Sequence, residues 1–320
     1  MSAIRLSVVL VADNMPKIEG VLQALDRQTA RHEVEVVVVL PSVEAAAADP
    51  SRLAHFGAHR FVPVPSIMPM PRARAAGVRA TTSPVIFLGE THSYPHPDFA
   101  EALIAAHEGP WDIIVPGLEN ANPANARSWS SFLLDYGYWL SSLSASEVAS
   151  GPTWNASYKR HVLMELDDRL DGALSSGDEL PMALRERKRR FYFAPDAKIS
   201  HVNLESRGWM DERFLSGLVV GANRGKRWSP ARRMAYFLAS PLIPFVLIYR
   251  NRDSMKSLIA KRRLPRGSVL AVVAGSIVRT FGEATGYLRG IGAESEARME
   301  EYELNKVDYV AHVAGWEELG

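Results

Sequence analysis

The chain has no cysteine. Disulfide frameworks, thiolate metal sites and cysteine nucleophiles are excluded, and a reducing compartment suits such a composition. It also lacks an excess of one charge: 37 Lys and Arg face 36 Asp and Glu, a net +1, so there is no global electrostatic signature for nucleic acid. No uninterrupted apolar run reaches the roughly 20 residues that suit a membrane-spanning helix. Residues 1–10 hold one arginine and a short apolar stretch that soon meets Asp13 and Asn14, which reads as a first strand and not as a signal peptide. With 47% hydrophobic and 23% charged residues in 320, the composition is that of a globular protein: one large domain, or one domain with an appendage.

What is present is organised around residues 83–99. Val85-Ile86-Phe87-Leu88 reads as a buried strand, and it runs directly into Gly89-Glu90-Thr91-His92 before Pro95 and Pro97 interrupt regular pairing. Ligands of open α/β sheets bind at the carboxyl ends of the strands, which is where this strand delivers Glu90 and His92. Two residues apart, both point to one side of an extended segment, where an oxygen and a nitrogen ligand can share a cation. The plainer alternative is a polar loop after a strand.

Residues 6–12 and 34–40 read as strands, and Pro16 opens a helix between them with Ile18, Val21, Leu22 and Leu25 at helical spacing. Strand, helix, strand at this spacing is a βαβ unit of a parallel sheet. A second helix is expected over 44–58 and a strand over 60–64. The helix expected over 72–80 carries Arg72 and Arg74, either a solvated surface or a cationic wall for phosphates. Further on, the pattern predicts a helix from Phe99 to about His107, a strand over 111–116 and a loop over 120–125. An aromatic helix follows with Trp129, Phe132, Tyr136 and Trp139, a stripe that suits a core better than a binding platform. Gly151-Pro152 makes a turn ahead of Trp154 and Asn155. Gly177-Asp178-Glu179-Leu180 precedes a helix over 181–190, a strand over 190–194 and a tail containing His201.

In order and spacing these pieces resemble the family 2 glycosyltransferases of the GT-A fold, over roughly residues 4–225. Three segments carry the resemblance: the first strand with Ala12-Asp13-Asn14; Glu90-Thr91-His92 in the place of the family's Asp-x-Asp motif; and Gly177-Asp178-Glu179-Leu180 continued by Arg185, Phe193, Pro195, Ala197 and His201. The resemblance implies an α/β, Rossmann-like, mostly parallel sheet flanked by helices, and a nucleotide-diphosphate sugar as donor. It further implies that Ala12, Asp13 and Asn14 contact the nucleotide, that Arg72 and Arg74 add positive charge, and that Glu90, His92 and His201 hold a divalent cation. Imidazole ligands tilt the choice from magnesium to manganese. Glu179, or failing it Asp178, is the expected base of an inverting displacement, and Trp154 and Asn155 belong to the acceptor loop. The strand at 34–40 ends in Leu40-Pro41-Ser42-Val43-Glu44, without the aspartate many members carry there, so the donor nucleotide stays open.

The C-terminal third changes character. Between Gly221 and Gly290 there are 14 Lys or Arg against only Asp253 and Glu283, and the apolar runs 234–249 and 268–278 are flanked by arginines and lysines. Helices lying in the interface of an anionic leaflet fit that pattern; a helical subdomain packed on the core or a partner is the alternative. Residues 291–320 turn acidic and read as an exposed helix. The expectation is a catalytic domain over 1–222 and a basic, apolar, membrane-contacting region over 223–320, with contact through 223–290. The enzyme would then act at the cytoplasmic face of the cell membrane on a glycan or lipid-linked acceptor, in polysaccharide or glycolipid synthesis. The rivals are an inactive nucleotide-sugar or glycan-binding module and a membrane scaffold; oligomeric state is left open.

Overall fold

β-Branched residues set the first half of the sheet. In β1 (Leu6–Val11) every residue is buried, α1 (Glu19–Asp26) crosses over, and β2 (Val34–Pro41) is a run of valines at 0% exposure from Val36 to Val39. Such a strand, apolar on both faces, belongs in a sheet covered on both sides. The computed structural model describes residues 3–175, 177–206 and 208–310.

A short helix α2 (Ser42–Ala47) leads to β3 (Ala58–Val64), and α3 (Met70–Ala80) leads to β4 (Val85–Leu88). The long helix expected over 44–58 is instead broken. Pro50 disfavours the helical conformation at Asp49, which sits at φ −84°, ψ 111° and caps a 3-10 turn over Pro50–Leu53. β5 (Ser93–Pro95), α4 (Phe99–Ala106) and β6 (Ile113–Asn120) follow. β6 outlasts the strand expected over 111–116, so Asn120 is a strand residue. After α5 (Ala126–Tyr136) come β7 (Ser146–Val148), β8 (Ala156–Lys159), α6 (Arg160–Met164), α7 (Leu170–Ala173), α8 (Glu179–Glu186) and β9 (Phe191–His201).

The nine strands form one sheet in the order β3-β2-β1-β4-β8-β6-β9-β5, with β7 paired to β9. The half β3-β2-β1-β4 is parallel, and β8 then runs antiparallel to both β4 and β6. β9 is twice as long as the expected strand over 190–194: Pro195 lies beyond the residues paired with β7, the last of which is Phe193, and the strand runs on to His201.

By contact density the chain divides into two compact units. Among the described residues, one comprises 3–119 and 143–200; the other comprises 120–142 and 201–310. The cuts fall at the last residues of β6 and β9, whereas residue 222 of the expected boundary lies inside α9 (Trp209–Arg227). The first unit holds an apolar core in which Val9, Val37, Ile86, Leu88, Tyr158, Leu180 and Phe191 pack together.

The second unit is helical: α5, α9, α10 (Pro230–Ala239), α11 (Ile243–Arg250), α12 (Arg252–Ala260), α13 (Ser268–Arg289) and α14 (Ala293–Leu304). α9 and α13 meet backbone to backbone. A Cβ on Gly217 would lie 1.9 Å from the carbonyl oxygen of Arg279, and one on Gly282 would lie 1.9 Å from that of Phe214. Pro241 and Pro244 do not end the helical path, because each sits in the first turn of the segment it opens, where its missing N–H has no helical acceptor to serve. The continuous stretches Pro230–Arg250 and Ser268–Arg289, 21 and 22 residues, are therefore both long and apolar enough to cross a membrane. α14 is less exposed than expected, with Glu300 buried; residues 311–320 of the acidic tail lie outside the described residues.

Candidate metal centre

The strand β4 ends at Leu88, and the backbone N–H of Gly89 still donates to the carbonyl of Val9 on β1 at 3.0 Å. The turn after it is therefore anchored to the sheet. Glu90, Thr91, His92 and Ser93 are all buried, an unusual environment for four consecutive polar side chains. His92 immediately precedes β5, which is the sheet neighbour of β9, and β9 ends in His201. Pairing within one sheet thus brings the two segments together. Glu90, His92 and His201 each offer one ligand atom, all within 4.8 Å of one another, and the residues are 6%, 1% and 2% exposed.

Each of the three is held by a neighbour. The Glu90 carboxylate accepts from Asn155 Nδ2 at 2.6 Å and from the Ser93 hydroxyl at 3.2 Å, with His92 Nε2 3.5 Å from the same oxygen. Asn155 is itself fixed: its backbone N–H donates to Leu88 at 2.8 Å, and it adopts φ 55°, a left-handed conformation that asparagine tolerates better than most residues. His201 Nδ1 lies 3.0 Å from Asn203 Oδ1, and the Tyr136 ring packs 4.6 Å from the imidazole. One carboxylate and two imidazoles, buried and oriented by outer hydrogen bonds, form a donor set that fits a borderline divalent cation such as manganese.

The other expected residues fall in three places. Ala12, Asp13 and Asn14 follow β1, the strand beside β4, so they leave the sheet at the same carboxyl edge as Glu90. Ala12 is buried, Asp13 accepts from Lys17 Nζ at 2.8 Å, and Asn14 caps the turn Met15–Ile18. Arg72 and Arg74 do not form one wall: two residues apart on α3 they face opposite ways, Arg72 into solvent and Arg74 inward, its guanidinium 3.5 Å from the centre of the Trp154 ring. Trp154 is 9% exposed and packs in the apolar core.

Asp178 and Glu179 open α8. The Asp178 side chain makes no helix-capping bond, and its Oδ1 is buried without a hydrogen-bond partner. The Thr153 hydroxyl donates to the carbonyl of Gly177 at 2.9 Å, which ties the loop carrying Trp154 and Asn155 to the residue before Asp178. Asn155 thus joins Glu90 on one side and, through Thr153, the acidic turn on the other. Sequence reasoning missed Asn120, Asn122 and Asn203, a buried amide cluster around His201; uncharged amides have no spacing signature that marks them.

No family model matches the chain, and no curated protein matches it. Solved structures do. The mannosyltransferase PcManGT from Pyrobaculum calidifontis, in complex with GDP-Man and Mn2+, superposes with a TM-score of 0.51 at 18% identity, over 94% of this chain and 88% of that one. GalNAc-T7 with UDP, GalNAc and Mn2+ superposes at 0.50 and 14% identity, over 65% of this chain and 45% of that one. The chain therefore has the GT-A fold of these glycosyltransferases, as the order of its sequence motifs implied.

Proposed function

We propose that the protein is a glycosyltransferase that moves a sugar from a nucleotide-diphosphate donor to an acceptor hydroxyl with inversion. The observation that carries the proposal is the buried Glu90–His92–His201 cluster at the carboxyl edge of a GT-A sheet. A divalent cation bound there supplies positive charge against the leaving diphosphate. Asn155 and Ser93 hold the Glu90 carboxylate in place beforehand, so no reorganisation is needed at the moment of transfer. Asp13 and Asn14, at the same sheet edge, line the nucleoside end. At the acceptor side, Asp178 is favoured over Glu179 as the base, because its Oδ1 is not consumed by capping α8. Thr153 keeps that turn in register with the loop of Trp154 and Asn155, which positions the acceptor.

The acceptor is a lipid-linked sugar or a glycan made at the inner face of the cell membrane. Support for this comes from the helical unit, where Leu238, Phe245 and Leu270 are 69%, 72% and 73% exposed among arginines and lysines. That combination suits insertion into an anionic leaflet.

The test is the melting temperature of the purified chain against a panel of nucleotide diphosphates and their sugars, with and without Mn2+, since a ligand of the folded state raises it by linkage. A rise for one donor that requires Mn2+ and is lost in Glu90→Ala is the expected result, together with turnover of that donor. No rise with any nucleotide, with or without metal, rejects the proposal.

A further inference from the structure

We propose that Asn203 is a positioning residue that locks His201 in the tautomer carrying its proton on Nδ1, so that Nε2 is the lone-pair atom offered to the metal; the metal part rests on the function proposed above. The lock follows from counting donors and acceptors. An asparagine amide has an oxygen that only accepts and a nitrogen that only donates. Asn203 Nδ2 lies 2.8 Å from the carbonyl oxygen of His201 and 2.9 Å from Asn120 Oδ1. Asn120 Oδ1 is identified as the oxygen by its other neighbours, the backbone N–H of Asn122 at 3.1 Å and the Ser128 hydroxyl at 2.9 Å. Asn203 cannot be turned over without placing its oxygen against two acceptors. Its Oδ1 must therefore face His201 Nδ1, at 3.0 Å, and that nitrogen must carry the hydrogen. A neutral imidazole protonated on Nδ1 has its lone pair on Nε2.

The lock is held from the backbone as well. Asn203 N–H donates to Asn122 Oδ1 at 2.9 Å, while Asn122 Nδ2 donates to the Asn203 carbonyl and to Glu205, each at 2.8 Å. Asn120, Asn122 and Asn203 are all buried, so water does not compete for these bonds. At His92 the Nδ1 atom lies 3.4 Å from the Thr91 hydroxyl, a group that can donate or accept.

The experiment is two-bond 1H–15N correlation on the metal-free, 15N-histidine-labelled full chain at alkaline pH, with His201 assigned by its disappearance in His201→Gln. The wild type should show His201 protonated on Nδ1. In Asn203→Ala both tautomers should appear, and Mn2+ affinity by electron paramagnetic resonance should fall about 10- to 100-fold. Asn203→Asp keeps an acceptor at Nδ1 and should keep the tautomer, at a cost in stability because its second oxygen faces the His201 carbonyl and Asn120 Oδ1. A wild-type His201 protonated on Nε2 overturns the lock without need of any variant, as does an Asn203→Ala protein that retains both tautomer and affinity. An Nδ1-protonated wild type that binds no Mn2+ upholds the lock and rejects the metal function alone.

Discussion

In the sheet unit, β2 buries four consecutive valines at 0% exposure, and its buried His107 is kept neutral, its pKa pushed down to about 3 by burial and by Lys159. In the helical unit Leu238, Phe245 and Leu270 face outward while Arg213 is 0% exposed. Arg213 pairs with Asp135 and Glu212, and Asp135 accepts from Arg279 at 2.9 Å. Burial works against the Asp135 charge, but Arg213 and Arg279 hold its carboxyl below the usual range. The sheet unit builds its core on apolar strands, whereas the helical unit buries an arginine between two carboxylates and shows apolar side chains outside. The second arrangement is the one on which the proposed membrane contact rests.

The contrast breaks most sharply at the glycines between α9 and α13. Gly282→Val should cost about 4 kcal/mol or more, since the carbonyl it would strike is backbone and cannot step aside, whereas Gly292→Ala, with nothing within 4 Å, should stay within about 0.5 kcal/mol. Denaturant titrations followed by circular dichroism compare the two; equal costs would mean that the helices do not touch as described.

The buried imidazole of the sheet unit gives a smaller, pH-dependent effect. Because the folded-state pKa of His107 lies below the unfolded value of about 6.5, the unfolded chain binds the extra proton. Stability is intact above that value and is lost as pH falls toward about 3, by up to about 1.4 kcal/mol per pH unit. Replacing His107 with Gln should flatten stability against pH in that window. An unchanged slope would show that the histidine titrates normally.

Least visible in water is the outer face of the helical unit. Phe245→Ser should alter stability by under about 0.5 kcal/mol, yet weaken partitioning onto anionic vesicles about tenfold or more. Undiminished vesicle binding would reject the proposed membrane contact through that face.

Strand β4 was legible to the residue, because four apolar side chains bounded by proline and glycine leave little choice. The parallel half of the sheet was legible too, from the strand-helix-strand spacing. Glu90, His92 and His201 were legible only as a set, since an isolated histidine carries no sign of what it meets. The reach of β9 to His201 was not, because Pro195 reads as a stop until the partners of the strand are known. Nor was the link between Asn155 and Glu90, which depends on a single left-handed residue and on the pairing of β4 with β8 that brings together two residues 65 positions apart.

The close meeting of α9 and α13 has a final consequence. An interface made by interlocking side chains draws much of its strength from the water it expels. Gly217, Gly221, Gly282 and Gly286 instead let two main chains touch directly, with no rotamers to freeze and with dispersion acting over many short approaches. Such a joint keeps its shape whether the medium beside it is cytosol or hydrocarbon. A helix pair that must pack the same way in two solvents would be built from these residues and few others.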